Sequence, residues 1–119
     1  MKKTVVLGAS THTYRYANMA VRRLLAHGHE VVPIGIDEGS IEGHEIIIGH
    51  PSLDDVDTVT IYLNPTNQRE YYPYIISLKP KRIIFNPGAE NPELVQLAHE
   101  NGIETEEACT LVLLSINQY

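Results

Sequence analysis

Short β-branched runs alternate with segments of helical period along this chain, and that alternation limits the fold more than any other feature. Thr4-Val5-Val6-Leu7 is apolar and closes at Gly8, the pattern of a buried strand. From Tyr16 to His27 the apolar positions Met19, Ala20, Leu24 and Leu25 recur at helical spacing, and Gly28 suits the place just past a helix end. Glu30 to Ile36 reads as a second strand. Pro33 within it cannot donate to a ladder, which hints at an edge or a strand end. Residues 37–53 form a connector with Gly39, Gly43 and Gly49, in which Glu45–Ile48 is a candidate short strand. Ser52–Asp57 looks like a capped helical turn, and Thr58–Leu63 is a third strand. A helix follows through Leu78, with Thr66 as its cap and Pro73 forcing a kink or restart. Lys81–Phe85 is a fourth strand, stopping at Asn86-Pro87-Gly88. Asn91 as cap and Pro92 at the first helical position open a helix that ends at Gly102. Ile103–Thr105 is a short fifth strand and Ala108–Ile116 a terminal helix. Strands alternating with helices over short loops imply an α/β fold, a parallel sheet covered on both faces.

Length and charge remove several classes. The 119 residues fit one domain, and 43% apolar residues suffice for a core. One cysteine makes neither an internal disulfide nor a cysteine-based zinc site. Met1-Lys2-Lys3 resembles the start of a leader, but the apolar run Val5-Val6-Leu7 is too short for a leader core or a membrane span. A cytoplasmic protein with no membrane partner is the expectation. The net charge of −6 argues against a general nucleic-acid binder, which needs cations to displace counterions. It leaves room for an anionic small molecule held by local donors.

In an open parallel sheet, ligands bind outside the carboxyl ends of the strands. Those ends are Gly8-Ala9-Ser10-Thr11, Gly35-Ile36-Asp37, Tyr62-Leu63-Asn64-Pro65 and Asn86-Pro87-Gly88. Glycine lets a backbone approach a ligand closely, and a following helix start offers free N–H groups to a phosphate. The first of these loops has Gly8, two hydroxyls and then Arg15, and forms a reasonable phosphate cradle. It is neither a G-x-G-x-x-G turn nor a Walker loop, so by itself it equally fits a capped strand-to-helix turn.

Val5-Val6-Leu7-Gly8-Ala9-Ser10, then Arg15-Tyr16-Ala17-Asn18 and Ala20-Val21, resembles the small stand-alone CoA-binding domain family. That family is similar to the N-terminal CoA-binding domain of the succinyl-CoA synthetase α subunit. The likeness continues through His27–Ile34, the connector with Gly39 and Gly43, the Ser52-Leu53 turn and Ala108-Cys109. The resemblance implies a Rossmann-like, doubly wound sheet of about five strands. It implies coenzyme A or a related adenine nucleotide as ligand, lying across the strand ends. Carried over by position, Gly8, Ala9, Ser10 and Thr11 would meet the phosphates, with Arg15 close by. Ile36 would flank the adenosine, and Tyr62, Leu63, Asn64 and Pro65 would line the other side. Asn86, Pro87 and Gly88 would approach the pantetheine or pyrophosphate.

The chain departs from the family in two places. Asp37 and Glu38 follow the second strand, where many members have basic or neutral residues suited to a 3′-phosphate. A carboxylate repels phosphate but accepts hydrogen bonds from ribose hydroxyls, which keeps NAD as an alternative cofactor. Leu63-Asn64 stands where many members have an arginine. Arg15 is then the main cation near the pocket, with Arg69 a second candidate.

Other constellations favour plain readings. His27 ends a helix, His44 and His50 lack a visible third metal ligand, and His12 reads as an exposed loop residue. Cys109 follows two glutamates and reads as a buried inert thiol. Glu90 stands near the active edge as a candidate base. Tyr71, Tyr72 and Tyr74 form either a partly buried helix face or a partner surface. Glu104, Glu106 and Glu107 read as a solvated edge. The expectation is a single domain that binds coenzyme A or a related nucleotide without evident catalysis. The alternatives are an NAD(H) enzyme, and a homo-oligomer or subunit of a larger acyl-CoA enzyme. Gly8→Val is expected to abolish binding while sparing the fold, by filling the phosphate approach.

Overall fold

The computed structural model describes residues 1–119. Its strands are β1 (Thr4–Leu7), β2 (Val31–Gly35), β3 (Ser40–Ile41), β4 (His44–Glu45), β5 (Ile47–Ile48), β6 (Thr58–Ile61), β7 (Arg82–Phe85) and β8 (Glu104–Glu107). The helices are α1 (Tyr16–Ala26), α2 (Pro65–Gln68), α3 (Tyr72–Leu78), α4 (Pro92–Glu100) and α5 (Thr110–Ser115). Six strands form one parallel sheet in the order β5-β2-β1-β6-β7-β8, and β3 and β4 form a small antiparallel pair. The order reverses at β1, whose two neighbours are β2 and β6. No helix is long and apolar enough to cross a membrane.

Every residue of β1 and β6 is buried, as expected of strands covered on both faces. Alternation sends Val5 and Leu7 to one apolar layer, with Tyr71, Ile75, Leu94 and Ala98. Val6 enters the opposite layer with Ala17, Val21, Leu24 and Leu114. The register aligns the strand ends. Leu7 pairs with both Ile34 and Ile61, and Ile61 with Phe85. Gly8, Gly35, Tyr62 and Asn86 therefore form one row along the carboxyl edge.

Several sequence expectations shift by one device each. The sheet has six strands because Ile47–Ile48 adds alongside Ile34 and Gly35, while His44–Glu45 turns back on Ser40–Ile41. Thr4 N–H bonds to the Glu30 carbonyl and Gly8 N–H to the Ile34 carbonyl, so the even-numbered residues of β2 face β1. Pro33 faces the other way, toward β5, which pairs only from Ile34 onward. Its missing N–H thus costs no ladder bond. Ser52–Asp57 is not helical. The cap of the helix after β6 is Asn64, whose side chain accepts from Asn67 N–H at 2.9 Å, with Pro65 at the first helical position; it is not Thr66. That segment runs as α2, a 3₁₀ turn over Arg69–Tyr71, and a restart at α3, where Pro73 takes an N-terminal position. Asn91 caps α4 as expected, accepting from Leu94 N–H at 3.2 Å. The last strand is longer than expected and carries the acidic run. Glu104 and Glu107 are exposed, and Glu106 lies 3.5 Å from Arg82. Charges there blunt an open sheet edge.

Candidate functional site at the sheet reversal

The turn after β1 is held tightly against β2. Gly8 N–H and Ala9 N–H both bond to the Ile34 carbonyl at 2.9 Å. Gly8 has φ +98°, a conformation that side chains rarely adopt. Gly35 is required by space, because a Cβ there would collide with the Ala9 carbonyl oxygen. The Gly8→Val expectation needs correcting. A Cβ at Gly8 would press on Leu63 Cδ2 at 3.1 Å and on the Tyr62 backbone at 3.3 Å. With the φ strain added, such a variant disturbs the fold as well as the approach to the loop.

The rest of the loop is pinned from below by α1. Asn18, 2% exposed, donates through Nδ2 to the Ser10 carbonyl at 2.8 Å. Its Oδ1 accepts from Arg22 Nε at 2.8 Å, and the same guanidinium donates to the Thr13 carbonyl at 3.1 Å. Ser10 Oγ accepts from His12 N–H at 3.2 Å. Arg15 is the residue before the helix, makes no side-chain cap bond, and has no acidic residue in the turn that follows. The first rung of α1 runs from Met19 N–H to the Arg15 carbonyl, so the amides of Tyr16, Ala17 and Asn18 lie before the ladder. A helix start of this kind, flanked by an arginine, attracts an anion.

A pocket of about 430 Å³ opens at the reversal point between β1, β2 and β6. That volume is in the range of small-molecule sites. The first loop contributes Gly8, Ala9, Ser10, His12 and Arg15 to its wall. The end of β2 contributes Gly35, Ile36 and Asp37. The far side is Tyr62, Leu63 and Asn64, extended by Asn67, Glu70 and Tyr71. Eight of the expected site residues thus share one cavity: Gly8, Ala9, Ser10, Arg15, Ile36, Tyr62, Leu63 and Asn64.

The other expected residues lie outside that wall. The Thr11 side chain turns to Gly39, where an added Cβ would strike its methyl group. Pro65 starts α2. Asn86 is 1% exposed, and its amide is fully used within the fold. Nδ2 donates to Thr60 Oγ1 at 2.6 Å and to the Ile61 carbonyl at 2.9 Å, while Oδ1 accepts from Thr110 N–H at 2.9 Å. Pro87 and Gly88 are exposed farther along the same edge. Gly88 N–H donates to Glu90 Oε1 at 2.9 Å, so Glu90 serves that turn. Arg69 pairs with Glu93 at 3.9 Å and does not line the pocket.

Sequence reasoning names Gly35 among the strand ends but does not place Asn67, Glu70 and Tyr71 in the site. The signal for the last three was the Asn64-Pro65 cap. With the cap at Asn64, Asn67 falls in the first turn, and Glu70 and Tyr71 follow it at a spacing of three and four. Tyr71 and Tyr74 are buried, so the tyrosine cluster is a packed helix face and not an exposed patch. Burial, and secondarily the Glu70 carboxylate, push the Tyr71 phenol above its ordinary range, so it stays protonated at neutral pH. Burial raises the Tyr62 phenol strongly, the nearby Thr110 and Thr60 hydroxyls offset part of that, and no well-formed hydrogen bond reaches its enclosed hydroxyl.

A parallel sheet in this order, with a glycine turn and a helix start at the reversal, defines a Rossmann-like domain. Residues 2–115 match the CoA binding domain family, and the chain belongs to that family. A crystal structure of an uncharacterized protein is similar over 100% of this chain and 98% of its own, at 54% identity and a TM-score of 0.98. A protein from Thermus thermophilus shares 22% identity over 99% of this chain and 90% of its own, with a TM-score of 0.86. The third relative is a dinucleotide forming acetyl-coenzyme A synthetase from Ca. Korarchaeum cryptofilum, solved with phosphate and ADP. It matches 90% of this chain but 25% of its own length, at 21% identity and a TM-score of 0.74. At that identity the likeness establishes the fold alone. No curated protein matches the chain.

Proposed function

We propose that this protein is a binding module for coenzyme A or a closely related adenine nucleotide. The observation that carries the reading is the meeting of the Gly8–Arg15 loop with the ends of β2 and β6 in one pocket, in a chain of the CoA-binding family. The diphosphate would lie on the amides at the start of α1, with Arg15 as its cation. Ile36, 76% exposed on the rim, would cover one face of the adenosine. Leu63 and Asn64 would form the opposite wall. The pantetheine arm would leave along Pro87 and Gly88, where a Cβ on Gly88 would meet nothing within 4 Å. The residues present fit such a ligand: the cradle is glycine-lined, and no side chain caps the helix start.

Within the loop, His12 N–H donates to Ser10 Oγ at 3.2 Å. Calorimetry with coenzyme A, ADP and NAD tests the proposal. Binding of at least one of them, weakened about tenfold or more by Arg15→Ala, supports it; this is the loss of a charge-assisted contact. Absence of heat with all three ligands overturns it.

A further inference from the structure

Resting on that reading of the pocket, we propose that the site selects an adenosine 5′-diphosphate group whose ribose hydroxyls are free. It would therefore take dephospho-coenzyme A or an ADP-containing dinucleotide ahead of coenzyme A itself.

The argument starts at Gly35. The clash that any side chain would make with the Ala9 carbonyl shows how closely the end of β2 abuts the phosphate loop. Ile36 and Asp37 follow at once and both line the pocket. In this fold the residue at the end of the second strand faces the adenosine ribose, and an acidic residue there accepts hydrogen bonds from the hydroxyls. Asp37 is exposed and has neither an ion-pair nor a hydrogen-bond partner within the protein. Glu70, across the cavity, is likewise exposed and unpaired.

The nearby cations do not offset them. Arg15 is the only lysine or arginine in the wall, and it sits at the phosphate end. Arg22 donates to Asn18 and the Thr13 carbonyl, and Arg69, within 3.9 Å of Glu93, lies outside the wall. A ribose phosphate, close to doubly charged at neutral pH, would thus meet the Asp37 and Glu70 carboxylates, with Arg15 at the diphosphate and His12 the one other basic side chain in the wall. A free hydroxyl would instead donate a charge-assisted hydrogen bond to the same carboxylate. The cavity is open to solvent, so the discrimination weakens as salt rises.

The experiment is calorimetric titration with coenzyme A, dephospho-coenzyme A, ADP and NAD, at low and at physiological salt, on the parent protein and on Asp37→Asn. The expected result is that dephospho-coenzyme A binds about tenfold or more tightly than coenzyme A, the scale of one charge-assisted contact. Asp37→Asn, at an exposed position, should narrow that ratio by strengthening coenzyme A binding. Preference for NAD over dephospho-coenzyme A would identify the dinucleotide as the source of the same free-ribose group. Coenzyme A binding as tightly as its dephospho form overturns the inference and leaves the pocket reading standing. Failure of all four ligands overturns both.

Discussion

The side-chain amide of Asn18 donates to the carbonyl of Ser10 at 2.8 Å, tying the first turn of α1 to the loop that leaves β1. The bond joins the core to the proposed ligand cradle, because Asn18 is buried while Ser10 lines the pocket. Arg22 orients the amide from one helical turn further on. Asn18→Ala should lower unfolding free energy by about 1–3 kcal/mol, the cost of leaving a buried polar group unmet. It should also weaken nucleotide binding without touching ligand. Urea denaturation together with titration of the folded variant checks both effects; unchanged affinity would show that the loop holds its shape alone.

Asn86 provides a contrast at the next strand end. Its amide joins β6, β7 and the start of α5 through Thr60, the Ile61 carbonyl and Thr110 N–H. Asn86→Ala should cost about 2–4 kcal/mol, since several buried partners lose their bonds together. Pro87→Ala, at an exposed neighbour, should stay within about 0.5 kcal/mol. Chemical denaturation of the two variants tests the pair, and equal effects would contradict the assignment of Asn86 to the fold.

Two glycines separate a steric demand from a conformational one. Gly35→Ala should destabilise by about 1–3 kcal/mol through overpacking, because the new methyl group meets the Ala9 backbone. Gly88→Ala has open space around it but φ +91°, so it should cost about 1–2 kcal/mol from backbone strain alone. Only Gly35→Ala should also displace the Gly8–Arg15 loop. Amide chemical shifts of Ala9 and Ser10 report that displacement, and a silent loop would argue against close contact there.

At the opposite end of the sheet, His29 Nδ1 accepts a hydrogen bond from Lys2 N–H at 3.1 Å, which requires that nitrogen to be unprotonated. Its ring packs edge-on against Tyr119 at 4.9 Å. Burial first, and then the positive charges of Lys2 and the amino terminus, hold its pKa below the ordinary value of 6.5. The unfolded chain therefore binds the proton more readily than the folded one. The His29 contribution is intact above pH 6.5 and is lost as pH falls from there through the folded-state pKa. His29→Gln should flatten that part of the stability–pH curve between neutrality and mild acid. An unaltered curve would place the acid sensitivity elsewhere.

Much of this architecture is legible in the residues. The β-branched runs and their glycine or asparagine stops mark the carboxyl edge, because buried parallel strands need continuous apolar runs and close turns. Pro73 marks a restart because it lacks an N–H and suits only the first turn of a helix. What stays hidden depends on contacts distant in sequence. Thr66 and Asn64 are both competent caps, and only the line of the chain leaving β6 favours Asn64. Glu45–Ile48 reads as a short strand, but only the pairing of Ile47 and Ile48 with Ile34 and Gly35 makes β5 part of the main sheet. Tyr119 lies beyond every periodic segment, yet its ring packs under the Arg82 guanidinium at 4.6 Å and near Lys2 Nζ at 5.3 Å. In the site, the Gly8 loop announces itself by composition. The Asn67, Glu70 and Tyr71 wall becomes visible only once the cap is correctly placed.

The most direct measurement is amide chemical-shift mapping of the isotope-labelled protein during titration with coenzyme A and dephospho-coenzyme A. The account predicts that perturbed amides gather at Gly8–Arg15, the start of α1, Ile36–Asp37 and Leu63–Asn64. Shifts confined to the far face around Gln96 and Glu100 on α4, with the Gly8 loop unmoved, would contradict it.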